Sequence, residues 1–252
     1  MSEQFDGKLK NFLLAKSALH IFVVFAKQIN VFIGHYAIAF AAKKNAPAIS
    51  LGWLFIAVQF LDLLWPTFLL LNVEHVNINY DPSEITPLKF SYYPISHSLL
   101  MAAIWAMLFG IACYIFTKKR AYSFVLFLCV ISHWFLDLLV HYPDLPLYPG
   151  HTPKVGLGLW GMPFLENIIE FLMLTAGVVL YLGATRERNN RGKYLTWVLV
   201  LVLVIAHLAN ILGPTPTNTK IVAWGAQLMW LFVIIAFWTD RNRIPTVDTA
   251  AG

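Results

Sequence analysis

His133, Asp137 and His141 stand four residues apart in the stretch SHWFLDLLVHYPDLP, residues 132–146, at the end of an apolar run that begins near Ala121. Four residues advance a helix by about 400°, so the three side chains form one stripe, with successive members about 6 Å apart. A neutral imidazole and an ionised carboxylate both offer lone pairs, and the stripe therefore suits one divalent ion or two neighbouring ones. An ionised Asp inside a bilayer costs at least about 2.5 kcal/mol and must face a polar partner or a cavity. The plain alternative is a His–Asp hydrogen bond that neutralises a buried pair, with His141 a wet residue at the membrane boundary.

Other ionisable residues interrupt apolar surroundings in the same way. They are His35 in FIGHYAIAF, Asp62 in FIAVQFLDLLWP, His97 in YYPISHSLL, and the i, i+4 pair Glu166 and Glu170 in MPFLENIIEF. Together with the stripe they make a set of imidazoles and carboxylates that suits Zn²⁺ first, with Mn²⁺ or Fe²⁺ as alternatives, and that allows a dinuclear centre. Each also has a plainer role: His97 opens a helix between two serines, and the glutamates complement a helix N-terminus. Cys113 and Cys129 lack a CxxC partner and read as small hydrophobes. His207 and Asn210 share a face in VIAHLANILG, a spacing more typical of helix–helix glue than of catalysis.

The elements that must position these residues are membrane helices. Of 252 residues, 59% are hydrophobic and 12% charged, too little polar surface to coat a water-soluble globule of this length. The mean hydropathy is +0.66. Apolar spans are expected at about 17–42, 48–71, 97–117, 121–141, 163–183, 194–213 and 220–239, each long enough to cross a core of about 30 Å. The expectation is an all-α polytopic helical bundle of about seven spans, one integral membrane domain over 1–243 with a disordered tail at 244–252. Lys16, His20, Lys27, Gln28 and Asn30 interrupt the first span, which reads as interfacial or re-entrant. No cleavable leader is expected at the start.

Lys43, Lys44, Lys118, Lys119, Arg120, Arg186, Arg188, Arg191, Lys193, Arg241 and Arg243 fall in connectors on one side, and Lys89, Lys154 and Lys220 on the other. By the positive-inside rule the richer side is cytoplasmic. A bacterial inner-membrane protein with a cytoplasmic C-terminus is expected, with Asp62, His97, Asp137, His141 and both glutamates in the outer half. The net charge of +5 belongs to these topology-setting clusters, and no nucleic-acid motif is present.

The order of GHYAIAF, LDLLWP, YYPISHSLL and SHWFLDLLVHYPDLPLYP resembles the membrane-bound metal-dependent hydrolases of YdjM type over about residues 30–150. That resemblance implies a metal-binding set of His35, Asp62, His97, His133 and Asp137. The chain departs from the family pattern in two places: LDLLWP has a sparser aspartate motif, and Tyr92, Tyr93 and Pro94 stand where a His-Arg dipeptide is usual. The order His, Asp, His, then HxxxD is also similar to that of helical zinc phospholipases C.

The connector 142–163, YPDLPLYPGHTPKVGLGLWGMP, has five prolines and four glycines that exclude a regular helix, yet it carries several apolar residues. It reads either as a lid, with His151 and Lys154 for a phosphate and Trp160 for a head group or acyl chain, or as a packed connector. The resulting expectation is a hydrolase acting on a membrane lipid or lipid-linked head group, with Glu166 or Glu170 taking a proton. The alternatives are a transporter that uses the stripe for protons or a cation, and a scaffold in which the polar cluster fixes helix packing.

Overall fold

The computed structural model describes residues 33–79, 86–150 and 153–246. The helices are α1 (Ile33–Ala42), α2 (Leu51–Val58), α3 (Phe60–Leu70), α4 (Pro94–His97), α5 (Leu99–Thr117), α6 (Arg120–Val140), α7 (Pro163–Ala184), α8 (Asn190–Leu212), α9 (Thr219–Ala226) and α10 (Met229–Arg241). Among the described residues, five helical stretches are long and apolar enough to cross a membrane: α5, α6, α7, α8 and the run Thr219–Arg241 that joins α9 to α10. A sixth is gained if α2 and α3, bent by 58° where they meet, count as one span.

The all-α polytopic bundle is thus as expected, and the count of about seven is approximate. Two of the expected spans differ from simple crossings. Residues 17–32 of the first lie outside the described residues, and α1, with 10 residues, covers only about 15 Å at 1.5 Å per residue, half of a hydrocarbon core. The second is broken at Gln59, which is fully buried between α2 and α3 and has φ −105°, ψ 11°.

Local chemistry sets the helix ends. Ser98 caps α5 by accepting from the Met101 N–H, Asn189 caps α8 through Gly192, and Asn218 caps α9 through Ile221. Pro163 opens α7, where its missing N–H has no helical partner to lose. Lys118, left-handed at φ 57°, closes α5 and turns the chain into α6. The two form an antiparallel hairpin whose outer face carries Leu100, Leu108, Ile111 and Phe116, exposed as lipid-facing residues are.

Short α1 and α2 occupy the middle of the bundle. Helix α1 packs on α2, α6 and α7, and α2 on α6 and α10. The close approach of α1 to α7 needs Gly177, since a Cβ there would collide with the Ala37 carbonyl. Three small antiparallel ladders close the ends: β1 (His75–Ile78) with β2 (Leu88–Tyr92), β3 (Leu145–Pro146) with β4 (Lys154–Val155), and β5 (Thr185–Glu187) with β6 (Arg243–Pro245). The last ladder runs to Pro245, and residues 247–252 of the expected tail lie outside the described residues.

Candidate metal centre

Three elements bring one polar quartet together inside the apolar bundle. Helix α6 supplies His133 and Asp137 one turn apart, α3 supplies Asp62 just past the break, and α4 supplies His97. His97 Nε2 lies 3.2 Å from Asp62 Oδ1 and 3.8 Å from Asp137 Oδ2; His133 Nε2 lies 3.6 Å and 3.3 Å from the same two oxygens. Each imidazole therefore faces each carboxylate through the same nitrogen. Zinc bonds to N and O are about 2.0–2.2 Å, so donors at the corners of a tetrahedron around it stand about 3.4 Å apart. The four separations scatter around that value.

The protons explain why such an arrangement suits a cation. His133 Nδ1 lies 2.7 Å from the carbonyl oxygen of Val58, the last residue before the helix break. A carbonyl only accepts, so Nδ1 carries a proton and donates it. In the neutral ring Nε2 is then a bare lone pair, aimed at two carboxylates. His97 has the same polarity: Nδ1 is 2.7 Å from Ser96 Oγ, whose own hydroxyl donates to Glu74 at 2.5 Å. Lone pairs facing carboxylates repel unless an added proton or a cation lies between them. Among the described residues, His133 Nε2 and Asp137 Oδ2, both buried, have no hydrogen-bond partner, and such atoms need an explanation. The donor set fits a divalent ion: His35, His133 and Asp137 form one group able to hold an ion, and Asp62, His97 and His133 form another.

His35 stands differently from the other two imidazoles. Its Nε2 is 3.4 Å from Asp137 Oδ1 and 3.4 Å from the His133 carbonyl oxygen, and its ring lies against the His133 ring with centroids 4.0 Å apart. Because both neighbours are acceptors, this nitrogen serves them as a donor unless a cation takes its lone pair. Either way it touches the carboxylate oxygen that the quartet leaves over.

His141 does not join the quartet. His141 caps α6: its N–H still bonds the Asp137 carbonyl oxygen at 2.8 Å and its φ of −62° is still helical, while ψ 145° turns the chain after it away, and its imidazole is in neither ion-holding group. It donates instead from Nδ1 to Asp144 Oδ1 at 2.9 Å and packs on Phe90 and Trp160, with ring centroids 5.0 and 4.1 Å away. Tyr93 completes this neighbouring cluster by donating to the same Asp144 oxygen at 3.2 Å. Burial, aided by the Asp144 charge, pushes the Tyr93 phenol well above its ordinary range and keeps it a donor.

Glu166 and Glu170 are buried on α7 in a second cluster, apart from the two ion-holding groups. Glu170 Oε2 accepts the Ile33 N–H at 3.0 Å and lies 3.3 Å from His207 Nδ1, while His207 Nε2 is 2.9 Å from Asn167 Oδ1. Glu170 thus pins the first residue of α1, two residues before His35. His207 is the helix glue its sequence context suggests, with Asn167 in place of Asn210 as its amide partner.

In the connector, His151 lies outside the described residues. Lys154 is exposed and donates to the Ser91 carbonyl at 3.3 Å. Trp160 is stacked on Phe90, 9% exposed, and its ring forms a wall of the His141 cluster. Backbone bonds from Leu100 to Leu147, Leu157 to Leu138 and Gly158 to His141 fasten the segment down, as in a packed connector. Gly156 allows the last of these, since a Cβ there would strike the carbonyl oxygens of His141 and Tyr142.

Glu74 is the residue that sequence reasoning missed. It is 1% exposed and accepts from Ile95 N, Ser96 N and Ser96 Oγ. In LNVEHVNINY it reads as a solvated loop acid, and nothing in its local spacing marks it.

No curated protein and no solved structure gives a significant match to the chain. The model of the family described as YdjM inner membrane protein matches residues 31–213, a segment that contains the whole His/Asp cluster as well as Glu74, Glu166 and Glu170. This match spans well over half of the molecule, and the chain belongs to the YdjM inner membrane protein family.

Proposed function

We propose that this protein is a membrane-embedded, metal-dependent hydrolase whose site opens toward the non-cytoplasmic leaflet and acts on a lipid or lipid-linked head group. The observation that carries the reading is the quartet in which two imidazoles, each with Nδ1 committed to its own acceptor, turn Nε2 toward the same two carboxylates. His97, His133, Asp62 and Asp137 would hold the ion, with zinc the best match to donor type and spacing and Mn²⁺ or Fe²⁺ the alternatives. A divalent ion bound there would supply Lewis-acid polarisation of a phosphoryl or carbonyl oxygen and would activate water.

The side chains divide the remaining work. His133 has one usable lone pair, because Val58 holds its other nitrogen, so the two ion-holding groups that share it compete for it. This favours one ion over two. His35 orients Asp137 through its second oxygen. For the proton released by water, the acceptor we propose is the Glu166–Glu170 pair, reached through intervening water because it lies apart from the quartet, and whose Oε2 and Oε1 respectively have no hydrogen-bond partner among the described residues. Asp62, with its side chain 19% exposed against 7% for Asp137, marks the side from which a substrate approaches.

The test is metal content and turnover on protein purified in mild detergent without a histidine tag. Wild type is expected to hold one zinc or manganese ion per chain by elemental mass spectrometry and to cleave a lipid phosphoester or ester in a substrate screen. Folded His133→Ala, Asp137→Ala and Asp62→Asn variants are expected to lose the ion, while Glu166→Gln keeps it and loses about 10²–10⁴-fold in turnover, the range for a general base. Wild type that binds no ion even after reconstitution would sink the reading and leave a proton-binding or packing role for the cluster.

A further inference from the structure

We infer that Glu74 is a positioning residue for the site: acting through the Ser96 hydroxyl, it keeps the ring proton of His97 on Nδ1 and so keeps Nε2 available as a lone-pair donor. Its importance for metal binding rests on the metal-centre reading above.

The argument follows the direction of each hydrogen bond. Glu74 Oε1 accepts the N–H groups of Ile95 and Ser96 at 2.7 and 2.8 Å, which fixes the carboxylate against the first turn of α4. Its other oxygen, Oε2, faces Ser96 Oγ at 2.5 Å. A carboxylate has only acceptor sites there, so the single hydroxyl proton of Ser96 points to Glu74. Ser96 Oγ is then left with lone pairs for its remaining neighbour, His97 Nδ1 at 2.7 Å, and that nitrogen must be the donor. In the neutral ring Nε2 is bare, 3.2 Å from Asp62 Oδ1. Ser96 also reaches the Tyr93 carbonyl at 3.4 Å, a longer and weaker acceptor of the same polarity.

This arrangement does for His97 what the Val58 carbonyl does for His133. An outer partner of a ligating imidazole sets which nitrogen faces the ion and typically contributes 10–100-fold to affinity. Here the partner is relayed through a hydroxyl, so its polarity can be reversed without a change in shape. In Glu74→Gln, the amide oxygen still accepts from Ile95 and Ser96. The amide NH₂ meets Ser96 Oγ as a donor, and the hydroxyl is free to turn toward His97 Nδ1. The ring proton then moves to Nε2, where it blocks the lone pair.

The experiment has two readouts. Long-range ¹H–¹⁵N correlation spectra of protein labelled with [¹⁵N]histidine, metal-free in micelles and taken to a pH at which the imidazoles facing the carboxylates are neutral, report which nitrogen of His97 is protonated, with the His97→Gln spectrum supplying the assignment. Zinc affinity follows from competition with a chromophoric chelator. Wild type and Ser96→Thr are expected to show His97 protonated on Nδ1. Glu74→Gln is expected to populate the Nε2–H form and to bind zinc 10–100-fold more weakly at unchanged helical content. Ser96→Ala, which removes the relay and leaves Glu74 in place, is expected to weaken zinc binding similarly.

A wild-type His97 spectrum in folded Glu74→Gln overturns the inference, whatever the protein's metal content. If Glu74→Gln does not fold, Ser96→Ala decides: unchanged tautomer and affinity there also overturn it. Wild type that binds no zinc, with the His97 tautomer still shifted by Glu74→Gln, leaves the relay standing and removes the metal reading alone.

Discussion

Asp62 and Asp137 look alike in the sequence, yet their surroundings separate what their loss would do. Asp137 faces His35 through one oxygen and His97 and His133 through the other, inside the bundle. Where no metal is bound, an added proton must lie between these lone pairs and Asp137, and removing its charge while keeping its shape leaves a protonated imidazole buried without its counter-charge. Such one-sided breaks of buried polar pairs cost about 3–5 kcal/mol. Asp62 has its side chain 19% exposed and can be replaced in part by water, so its loss belongs with unsatisfied hydrogen bonds at about 1–3 kcal/mol. Thermal unfolding of the metal-free variants in detergent should therefore rank Asp137→Asn as the less stable, with Asp62→Asn nearer to wild type; equal losses would mean that water reaches both carboxylates alike. His133 and Asp137 were legible as partners because their spacing and the apolar run on which they sit belong to one helix. His141 shares the spacing but stands in neither ion-holding group, because its imidazole is engaged by Asp144 three residues on, a contact the helical spacing does not show. Glu74 was invisible because its role depends on where the chain places Ile95 and Ser96, some 20 residues later.

At the scale of elements, apolar runs and capping residues mark the long helices α5 to α8 closely, since length and hydrophobicity decide them. The break between α2 and α3 was not legible. A single Gln in an apolar run carries no helix-ending signal, and the carbonyl exposed at the break is satisfied by His133, 75 residues away. The break contributes to the site, because it directs Val58 to His133 and places Asp62 on the next turn. The crossing of α1 and α7 is a second device of this kind, since it carries His35 against Asp137. Gly177 faces the Ala37 backbone, whereas nothing lies within 4 Å of a Cβ built at Gly183 on the same helix. Gly177→Leu is therefore expected to force the helices apart, to lower stability by about 1–3 kcal/mol and to weaken metal binding by displacing His35. Gly183→Leu, placed on α7 where space is open, should do neither. Indistinguishable melting curves and zinc isotherms for the two variants would show that the crossing adapts and that His35 does not depend on it.

For the whole molecule, the connectors sort into two ends. One holds Lys43 paired with Asp240 at 2.8 Å, the β5–β6 ladder, and Arg243, which donates to Thr185 and Gly192. The other holds the β1–β2 and β3–β4 ladders, bridged by Lys154 to Ser91, with the His/Asp cluster just beneath them. Which end faces the cytoplasm was inferred from Lys and Arg alone. Several of these cations are tied to protein partners, Lys43 and Arg243 being buried, so part of the apparent topology signal serves packing. The exposed cations of the first end, among them Lys44, Arg186, Arg188 and Lys193, still outnumber those of the second, and the expected orientation stands on them. Single cysteines provide the check, because native Cys113 and Cys129 are both buried and should not react. In intact spheroplasts a membrane-impermeant maleimide is expected to label Tyr148→Cys, at a position 46% exposed in the connector of the site end, and to leave Arg188→Cys unlabelled until the membrane is opened. The reverse pattern would turn the site toward the cytoplasm. Its substrates would then have to be sought among head groups of the inner leaflet, with the quartet's chemistry unchanged.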